Sequence, residues 1–257
     1  MSIFTSRSIP ARIIKGALGI GLFLGLWEIA PRLEWVDPTF VPPLTVVVQA
    51  LISSGISGDL WTHTTVSLLR AFSGFALATA IAIPLGFLVG WFKTFSDIFN
   101  PFLQSLRQLP TLALFPLFML LFGIGEVSKL AIITKACIWP IFMNTISGLS
   151  HIDPLLIKAA RSMKVGPLGL FKKVILPATI PSLFSGMRLS ATTSLLILVA
   201  AEMMGANAGL GFMIFNAEAR FQIPLMYAGI LYMTLLGVGL NYGLIGIEKR
   251  ISRWKEA

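Results

Sequence analysis

Residues 66–91 read VSLLRAFSGFALATAIAIPLGFLVGW, and Arg70 is the only charged residue among them. A helix that crosses the hydrocarbon core of a bilayer needs about 20 mostly apolar residues. This stretch exceeds that length, so we predict that it forms a transmembrane helix. The same criterion can then be applied to the rest of the chain.

Five further apolar runs approach or exceed the length of a spanning helix. The sequence therefore predicts an all-α, polytopic membrane protein with about six transmembrane helices. The predicted limits of these helices are 13–30, 66–91, 98–122, 128–148, 182–204 and 225–247.

The composition excludes a soluble globular protein. Hydrophobic residues make up 56% of the 257 residues and charged residues only 12%, whereas a soluble domain has about 25% charged residues. The net charge of +9 comes from short Lys and Arg clusters between apolar runs, a pattern that marks membrane topology rather than nucleic-acid binding. Cys137 is the single cysteine, so we expect neither a disulfide framework nor a cysteine metal cluster.

The distribution of basic residues predicts the orientation of the chain. Cytoplasmic loops carry an excess of Lys and Arg, and the basic residues of this chain collect on alternate sides of the predicted spans. Both termini are therefore expected in the cytoplasm. The predicted inner residues are Arg7, Arg12, Lys15, Lys93, Lys158, Arg161, Lys164, Lys172, Lys173, Lys249, Arg250, Arg253 and Lys255, and the predicted outer residues are Arg32, Lys129 and Arg220.

We expect a single transmembrane domain over the whole chain. Near its start, the amphipathic run 45–52 is predicted to form a short helix on the membrane surface. The expected divisions are an N-terminal helix with a periplasmic amphipathic segment (1–65), a core (66–247) that includes a cytoplasmic loop (150–181), and a cytoplasmic tail (248–257).

Several polar residues fall inside or beside the predicted spans, where charge is costly. Arg70 and Arg188 lie near span ends and are expected to extend to the interface. Arg107 and Lys135 lie deeper, and either a cavity or a structural role is open for them. Glu202 precedes a Gly-rich turn, where it either caps free backbone amides or lines the outer mouth of a pathway. The residues that membrane depth selects as pathway candidates are Arg107, Lys135, Glu202 and Asn207.

The loop 150–181 contains a predicted short helix. Asp153 suits the N-cap and Pro154 the first helical position. The helix is too short to span a membrane, and its apolar stripe suits docking into a groove on a soluble partner. A surface connector without a partner is the alternative.

The segment Lys158-Ala159-Ala160, followed by Val174-Ile175-Leu176-Pro177, resembles the cytoplasmic coupling loop of ATP-binding-cassette (ABC) import permeases. That family has Glu-Ala-Ala, a glycine, and then an aliphatic residue, Leu and Pro. Lys158 and Lys164 stand where the family usually has Glu and Gly. The similarity to the nitrate, sulfonate, taurine and bicarbonate branch extends along the chain through Phe40-Val41-Pro42-Pro43, Ser67-Leu68-Leu69-Arg70, Gly74-Phe75, Pro84-Leu85-Gly86, Arg107-Gln108-Leu109-Pro110, Phe122-Gly123-Ile124-Gly125-Glu126 and Gly209-Leu210-Gly211-Phe212.

The resemblance implies a type I ABC importer permease in the bacterial inner membrane. Such permeases work in pairs, here as a homodimer, with separate cytoplasmic ATPases and a periplasmic substrate-binding protein. The sequence has no Gly-x-x-x-x-Gly-Lys-Ser/Thr loop, so ATP and Mg²⁺ are expected on the ATPase, and no cofactor or metal on this chain. The resemblance assigns ATPase coupling to Asp153, Pro154, Ile157, Lys158, Ala159, Ala160, Met163, Lys164, Gly166, Leu176 and Pro177.

Other functions remain open at this point. A secondary transporter or channel would need no ATPase, although we find no convincing internal repeat. A membrane-embedded enzyme is disfavoured because His63 and His151 are predicted on opposite membrane faces. A scaffold subunit is also possible, and the substrate could be nitrate, a sulfonate, taurine, bicarbonate or a neutral pyrimidine precursor.

Overall fold

The computed structural model describes the backbone of residues 9–251 and the side chains of residues 16–250. The described backbone contains helices and no strands, which confirms the predicted all-α class. The helices are α1 (Ile9–Arg32), α2 (Leu44–Ser57), α3 (Asp59–Trp91), α4 (Lys93–Gln108), a 3₁₀ turn (Leu112–Leu114), α5 (Phe115–Phe122), α6 (Glu126–Ser150), α7 (Pro154–Ser162), α8 (Pro167–Leu170), a π-helical turn (Phe171–Ile175), α9 (Leu176–Met203), α10 (Leu210–Ala219) and α11 (Ile223–Ile251).

Four described helical segments are long and apolar enough to cross a membrane, and they correspond to four of the six predicted spans. They are Asp59–Trp91, Glu126–Ser150, Pro167–Met203 and Ile223–Arg250. The first predicted span, 13–30, lies within α1, whose side chains are described only from residue 16. The count of six spans and the cytoplasmic termini therefore stay predictions. Arg7, Arg253, Lys255 and most of the tail lie outside the described residues.

The third predicted span, 98–122, is wrong as a single straight helix. Helix α4 and the segment Leu112–Phe122 meet at an angle of 85°. The cause lies at Leu109-Pro110, because a proline disfavours helical geometry in the residue before it. Leu109 is extended, with ψ of 121°, and the helix ends there. We call Leu109–Thr111 the membrane break.

The chain divides into two compact units, which we describe separately. The smaller unit contains the described residues up to Trp61 together with Met213–Tyr232. In it, Glu28 of α1 accepts hydrogen bonds from the backbone N–H and the hydroxyl of Thr45, at 2.9 and 3.0 Å. Thr45 lies in the first turn of α2, so this carboxylate supplies an acceptor that the helix start requires. The predicted helix at 45–52 is confirmed within α2.

The larger unit contains Thr62–Phe212 and the described residues from Met233. Its helices α6 and α9 pack along each other, and glycines permit the close approach. A Cβ atom added at Gly186 would lie 2.7 Å from Asn144 Cβ and 2.9 Å from the Pro140 carbonyl oxygen. The two backbones can therefore meet only because Gly186 has no side chain.

Arg188 of α9 is paired with a carboxylate of another helix. It forms an ion pair with Glu248 of α11, and its side chain is one-third exposed, at 33%. Glu248 directly precedes Lys249 and Arg250, which are predicted on the cytoplasmic side. The expected extension of Arg188 to the interface agrees with this pairing and stays a prediction.

Candidate functional site

Helix α7 begins as its sequence predicts. The Asp153 carboxylate accepts a hydrogen bond of 2.8 Å from the backbone N–H of Leu155, and Pro154 occupies the first helical position. The side chain satisfies a donor that no helical carbonyl can reach, and proline loses nothing there because its position needs no N–H. The predicted cap and helix start are confirmed.

Helix α7 has two apolar faces with different environments. Ala160 is buried and Ile157 is half-buried, against a cluster that contains Leu149, Ile152 and Leu170. Beside this face, Leu155, Leu156, Ala159 and Met163, the residue that follows the helix, are exposed, with the three larger side chains at 68%, 52% and 77%. The helix is thus fixed to the permease by one face and presents an apolar face outward. We call these four residues the docking face.

The end of α7 explains one departure from the family pattern. Lys164 has a φ of +55°, in the left-handed region that favours glycine. The Lys164 and Val165 N–H groups donate to the carbonyls of Arg161 and Ala160, at 2.9 and 3.1 Å. The turn that closes the helix is therefore formed with lysine where the family usually has glycine. Lys158 and Gly166 are exposed.

The loop returns to the membrane without a break in the helical backbone. Pro167–Met203 is helical throughout, including the π-helical turn Phe171–Ile175. Leu176 and Pro177, which the resemblance places in the coupling motif, are half-buried at the start of α9. The segment is about 55 Å long at 1.5 Å per residue.

Two of the four predicted pathway residues lie at or beside the membrane break. Lys135 of α6 donates hydrogen bonds to the Leu109 carbonyl oxygen at 2.6 Å and to the Thr111 hydroxyl at 2.9 Å. Arg107 lies in the last turn of α4, two residues before the break, and is exposed. Among the described residues, no carboxylate forms an ion pair with either cation. The break therefore carries positive charge that no carboxylate of residues 16–250 pairs with.

Arg70 lies at the centre of a charged cluster in the larger unit. Its Nε and Nη2 atoms donate to the two carboxylate oxygens of Glu126, at 2.6 and 2.7 Å. Its Nη1 atom donates to Glu202 at 2.8 Å and to the Ala208 carbonyl at 2.6 Å. Lys129 Nζ lies 3.2 Å from Glu126. We call Ser67, Arg70, Glu126, Lys129 and Glu202 the outer network, because the predicted topology places them at the outer face.

The members of the outer network differ sharply in exposure. The Arg70, Lys129 and Glu202 side chains are 7%, 5% and 0% exposed, whereas the Glu126 side chain is 58% exposed. Buried charges are stable only when they are paired and hydrogen-bonded. Two buried cations thus face one buried and one accessible carboxylate.

Glu202 organises the start of α10. Its Oε2 atom accepts from the Gly211 N–H at 2.8 Å, and both of its oxygens lie within 2.9 Å of the Ser67 hydroxyl. Ser67 Oγ in turn accepts from the Leu210 N–H at 2.8 Å. The carboxylate therefore caps free amides of α10, one of the two roles that the sequence leaves open.

Gly209 lies against this carboxylate with a φ of +126°. A Cβ atom there would collide with the Glu202 carboxylate, so both the backbone conformation and the available space require glycine. Its N–H donates to His63 Nδ1 at 3.1 Å. These contacts fix the loop that leads into α10.

The expectation that Arg70 extends to the interface is wrong, because its guanidinium is buried and paired with two carboxylates. Ser67, Glu126 and Lys129 were not selected from the sequence as functional residues. The sequence did contain a signal for this cluster. Arg70, Glu126 and Glu202 lie at or near the ends of three predicted spans, and the predicted topology puts all three ends at the outer face of the membrane.

Asn207, the remaining pathway candidate, is exposed beside the outer network. It lines an open depression of about 650 Å³ together with Arg70, Glu126 and Lys129. Of the four predicted pathway residues, Arg107 and Lys135 thus lie at the membrane break, whereas Glu202 and Asn207 lie at the outer network.

Comparison with known proteins agrees with the predicted family. Residues 82–253 match the inner membrane component of binding-protein-dependent transport systems. A putative aliphatic sulfonates transport permease of Bacillus subtilis is 33% identical over 244 residues, which cover 95% of this chain and 88% of that protein. The taurine transport system permease of Escherichia coli is 31% identical over 270 residues, covering 99% of this chain and 98% of that protein.

A solved structure supports the same fold. A chain of a methionine ABC transporter in an inward-facing conformation matches with a TM-score of 0.66 at 19% identity, covering 77% of this chain and 98% of that chain. The fold is therefore that of an ABC importer permease. The protein belongs to the family of inner membrane components of binding-protein-dependent transport systems, and it is a multi-pass permease of the inner membrane.

Proposed function

We propose that this permease forms the translocation pathway of an ABC importer for a small anion of the sulfonate and taurine class. It works as a homodimer with two cytoplasmic ATPase subunits, which bind ATP and Mg²⁺, and it receives substrate from a periplasmic binding protein. The observation that carries the coupling role is the exposed apolar docking face of α7.

The docking face suits a protein partner rather than lipid. Lys158, Arg161 and Lys164, in or just after α7, are also exposed, and basic residues of this density mark the cytoplasmic side. An exposed apolar face bounded by polar groups is typical of an interaction site. A groove on a cytoplasmic ATPase would bury Leu155, Leu156 and Met163.

The structure suggests how movement of an ATPase reaches the membrane. Ile157 and Ala160 attach α7 to a cluster that includes Leu149 at the end of α6 and Leu170 of α8. Helix α8 continues directly into α9. A displacement of α7 would therefore move α6 and α9 as packed bodies, which is the kind of motion that alternating access requires.

The preference for an anion rests on the membrane break. Lys135 and Arg107 have no carboxylate ion-pair partner in the described part of the chain. A cation at membrane depth is costly without a counterion, and an anionic substrate would supply one. The names of the sulfonate and taurine relatives point to the same class.

Copurification with the ATPase tests the coupling role. We compare the wild type with Leu156→Asp/Met163→Asp, which places charge on the docking face, and with a deletion of residues 153–164. Ile56→Asp is the matched control, because Ile56 is 83% exposed and lies in the segment predicted to be periplasmic. We expect the wild type and the control to retain the ATPase and the other two variants to lose it.

Two results would contradict this proposal. Retention of the ATPase by the docking-face variant would remove the assigned role of α7. Failure of the wild type to bind any ATPase would favour the secondary transporter or channel.

Uptake assays test the anion pathway separately. Arg107→Ala and Lys135→Met are expected to lower anion uptake at least tenfold while ATPase binding persists. Lys93→Met removes the same charge from an exposed position at the start of α4 and should leave uptake unchanged. Normal uptake by both test variants would give the two cations a structural role only.

A further inference from the structure

We propose that Arg70 and Lys129 form a binding site for the anionic group of a sulfonate or similar oxyanion, and that Glu126 occupies this site as an exchangeable internal anion. The inference rests on the proposed import of small anions. It adds a binding site at the outer depression, separate from the membrane break.

The depression has the charge that an anion site requires. Its charged lining residues are Arg70, Lys129 and Glu126, so two cations face one carboxylate. Glu202 lies behind them, fully buried, and is held by Ser67 and the Gly211 N–H. With Glu126 withdrawn, Arg70 and Lys129 would present two positive charges to the depression, and a concave site of one sign attracts ions of the other.

The guanidinium nitrogens of Arg70 bind two carboxylates that differ in exposure, since Glu202 is buried and Glu126 is accessible to water. The Nη1 atom is committed to Glu202 and the Ala208 carbonyl. The Nε and Nη2 atoms form a planar fork that faces Glu126, and such a fork binds two oxygens of a carboxylate, phosphate or comparable oxyanion. A sulfonate presents two oxygens in a similar arrangement.

Glu126 is suited to leave this fork. Its side chain is 58% exposed although both of its cationic partners are buried, so its carboxylate can move into water without crossing protein. A singly charged anion that replaces it keeps the net charge of the site unchanged. Neither Arg70 nor Lys129 would then be left as an unpaired buried charge, which is the costly outcome.

The covalent attachment of Glu126 to the chain determines how strongly its carboxylate competes with a free anion for the site. A tethered group competes at an effective concentration on the order of millimolar, so it masks the site against dilute anions. Removal of the Glu126 carboxylate should therefore lower the dissociation constant for an anion at least tenfold.

The test uses the full-length permease in lipid nanodiscs, without ATPase or binding protein. Methanesulfonate and inorganic sulfate are the probes, at constant ionic strength, with chloride as the comparison ion. Titration calorimetry and the thermal unfolding midpoint report binding. The variants are Glu126→Ala, which vacates the fork, and Glu218→Ala, which removes an exposed carboxylate outside the outer network.

We expect Glu126→Ala to bind methanesulfonate at least tenfold more tightly than the wild type or Glu218→Ala, with little response to chloride. Adding Lys129→Gln to Glu126→Ala should abolish this gain. The proposal is overturned if sulfonate and chloride act alike on Glu126→Ala, or if the gain persists without Lys129. Should Glu126→Ala not fold, Lys129→Gln alone decides, because it must weaken sulfonate binding to the wild type at least threefold.

Failure of this inference is distinguishable from failure of the proposed function. ATPase copurification depends on α7 and involves no residue of the outer network, whereas anion binding is measured without an ATPase. A permease that binds its ATPase but shows no sulfonate site would leave the importer function intact.

Discussion

Replacement of Glu202 by glutamine is expected to lower the free energy of unfolding more than the same replacement at Glu126, the other carboxylate of the outer network. Glu202 is fully buried and accepts hydrogen bonds from Ser67, Arg70 and the Gly211 N–H. Glutamine has nearly the same shape, but its NH₂ group must face at least one of these donors. It also leaves Arg70 with a single carboxylate partner.

The magnitude follows from which of these losses dominates. Neutral hydrogen bonds inside membrane proteins contribute only about 0.6 kcal/mol each, so three weakened bonds account for about 2 kcal/mol. Removal of one partner from a buried ion pair costs about 3–5 kcal/mol, so the charge dominates. Glu126→Gln takes the described carboxylate partner from Lys129, but Lys129 lines the open depression, so water can reach its ammonium group. We therefore expect a smaller loss of about 1 kcal/mol, because the Glu126 carboxylate is itself 58% exposed.

Reversible unfolding in mixed detergent and SDS micelles measures both changes against Glu218→Gln, which should be neutral. Glu202→Asp should fall between the wild type and Glu202→Gln, because it keeps the charge but shortens the reach. An equal or smaller loss for Glu202→Gln than for Glu126→Gln would refute the reasoning, since it would mean that burial does not control the strength of these pairs.

Two further predictions concern the backbone. Gly186→Ala should lower the free energy of unfolding by about 1–3 kcal/mol, because the added Cβ atom would meet Asn144 and Pro140 on α6. Gly239→Ala is the control and should be neutral or stabilising in the same unfolding assay, because a Cβ atom added there would meet no atom of another helix within 4 Å. Equal effects would disprove the close approach of α6 and α9. Lys164→Gly should stabilise the loop by up to about 1 kcal/mol, because it relieves the cost of a left-handed residue at φ +55°, whereas Lys164→Ala should give no gain. Protease resistance of the loop measures the difference, and identical behaviour of the two variants would contradict this prediction.

Features that depend on neighbouring residues in the chain were predictable. The apolar runs at 66–91 and 128–148 correspond to long helices because length and hydropathy suffice to identify a span. The start of α7 was predicted because Asp153 and Pro154 act on amides within one turn. The membrane break was missed because the apolarity of 98–122 continues across Pro110, although the effect of proline on Leu109 is local and was available.

Pairing between distant spans was not predictable in the same way. Arg70 binds Glu126 and Glu202, which lie 56 and 132 residues later in the chain. Topology places all three residues at one membrane face, but it does not say which spans are neighbours. An isolated arginine near a span end therefore suggested extension towards the interface, and only the packing of α3, α6 and α9 reveals a buried partner.

The unbroken helix Pro167–Met203 joins the coupling loop to the outer network. One end follows the docking face, and the other carries Glu202 in the outer network. No flexible linker lies between them. Weakening the salt bridges of the outer network should therefore change the rate of ATP hydrolysis that the assembled transporter shows on the opposite side of the bilayer. The catalytic rate of a subunit in the cytoplasm would then report on the condition of a salt bridge roughly 50 Å away.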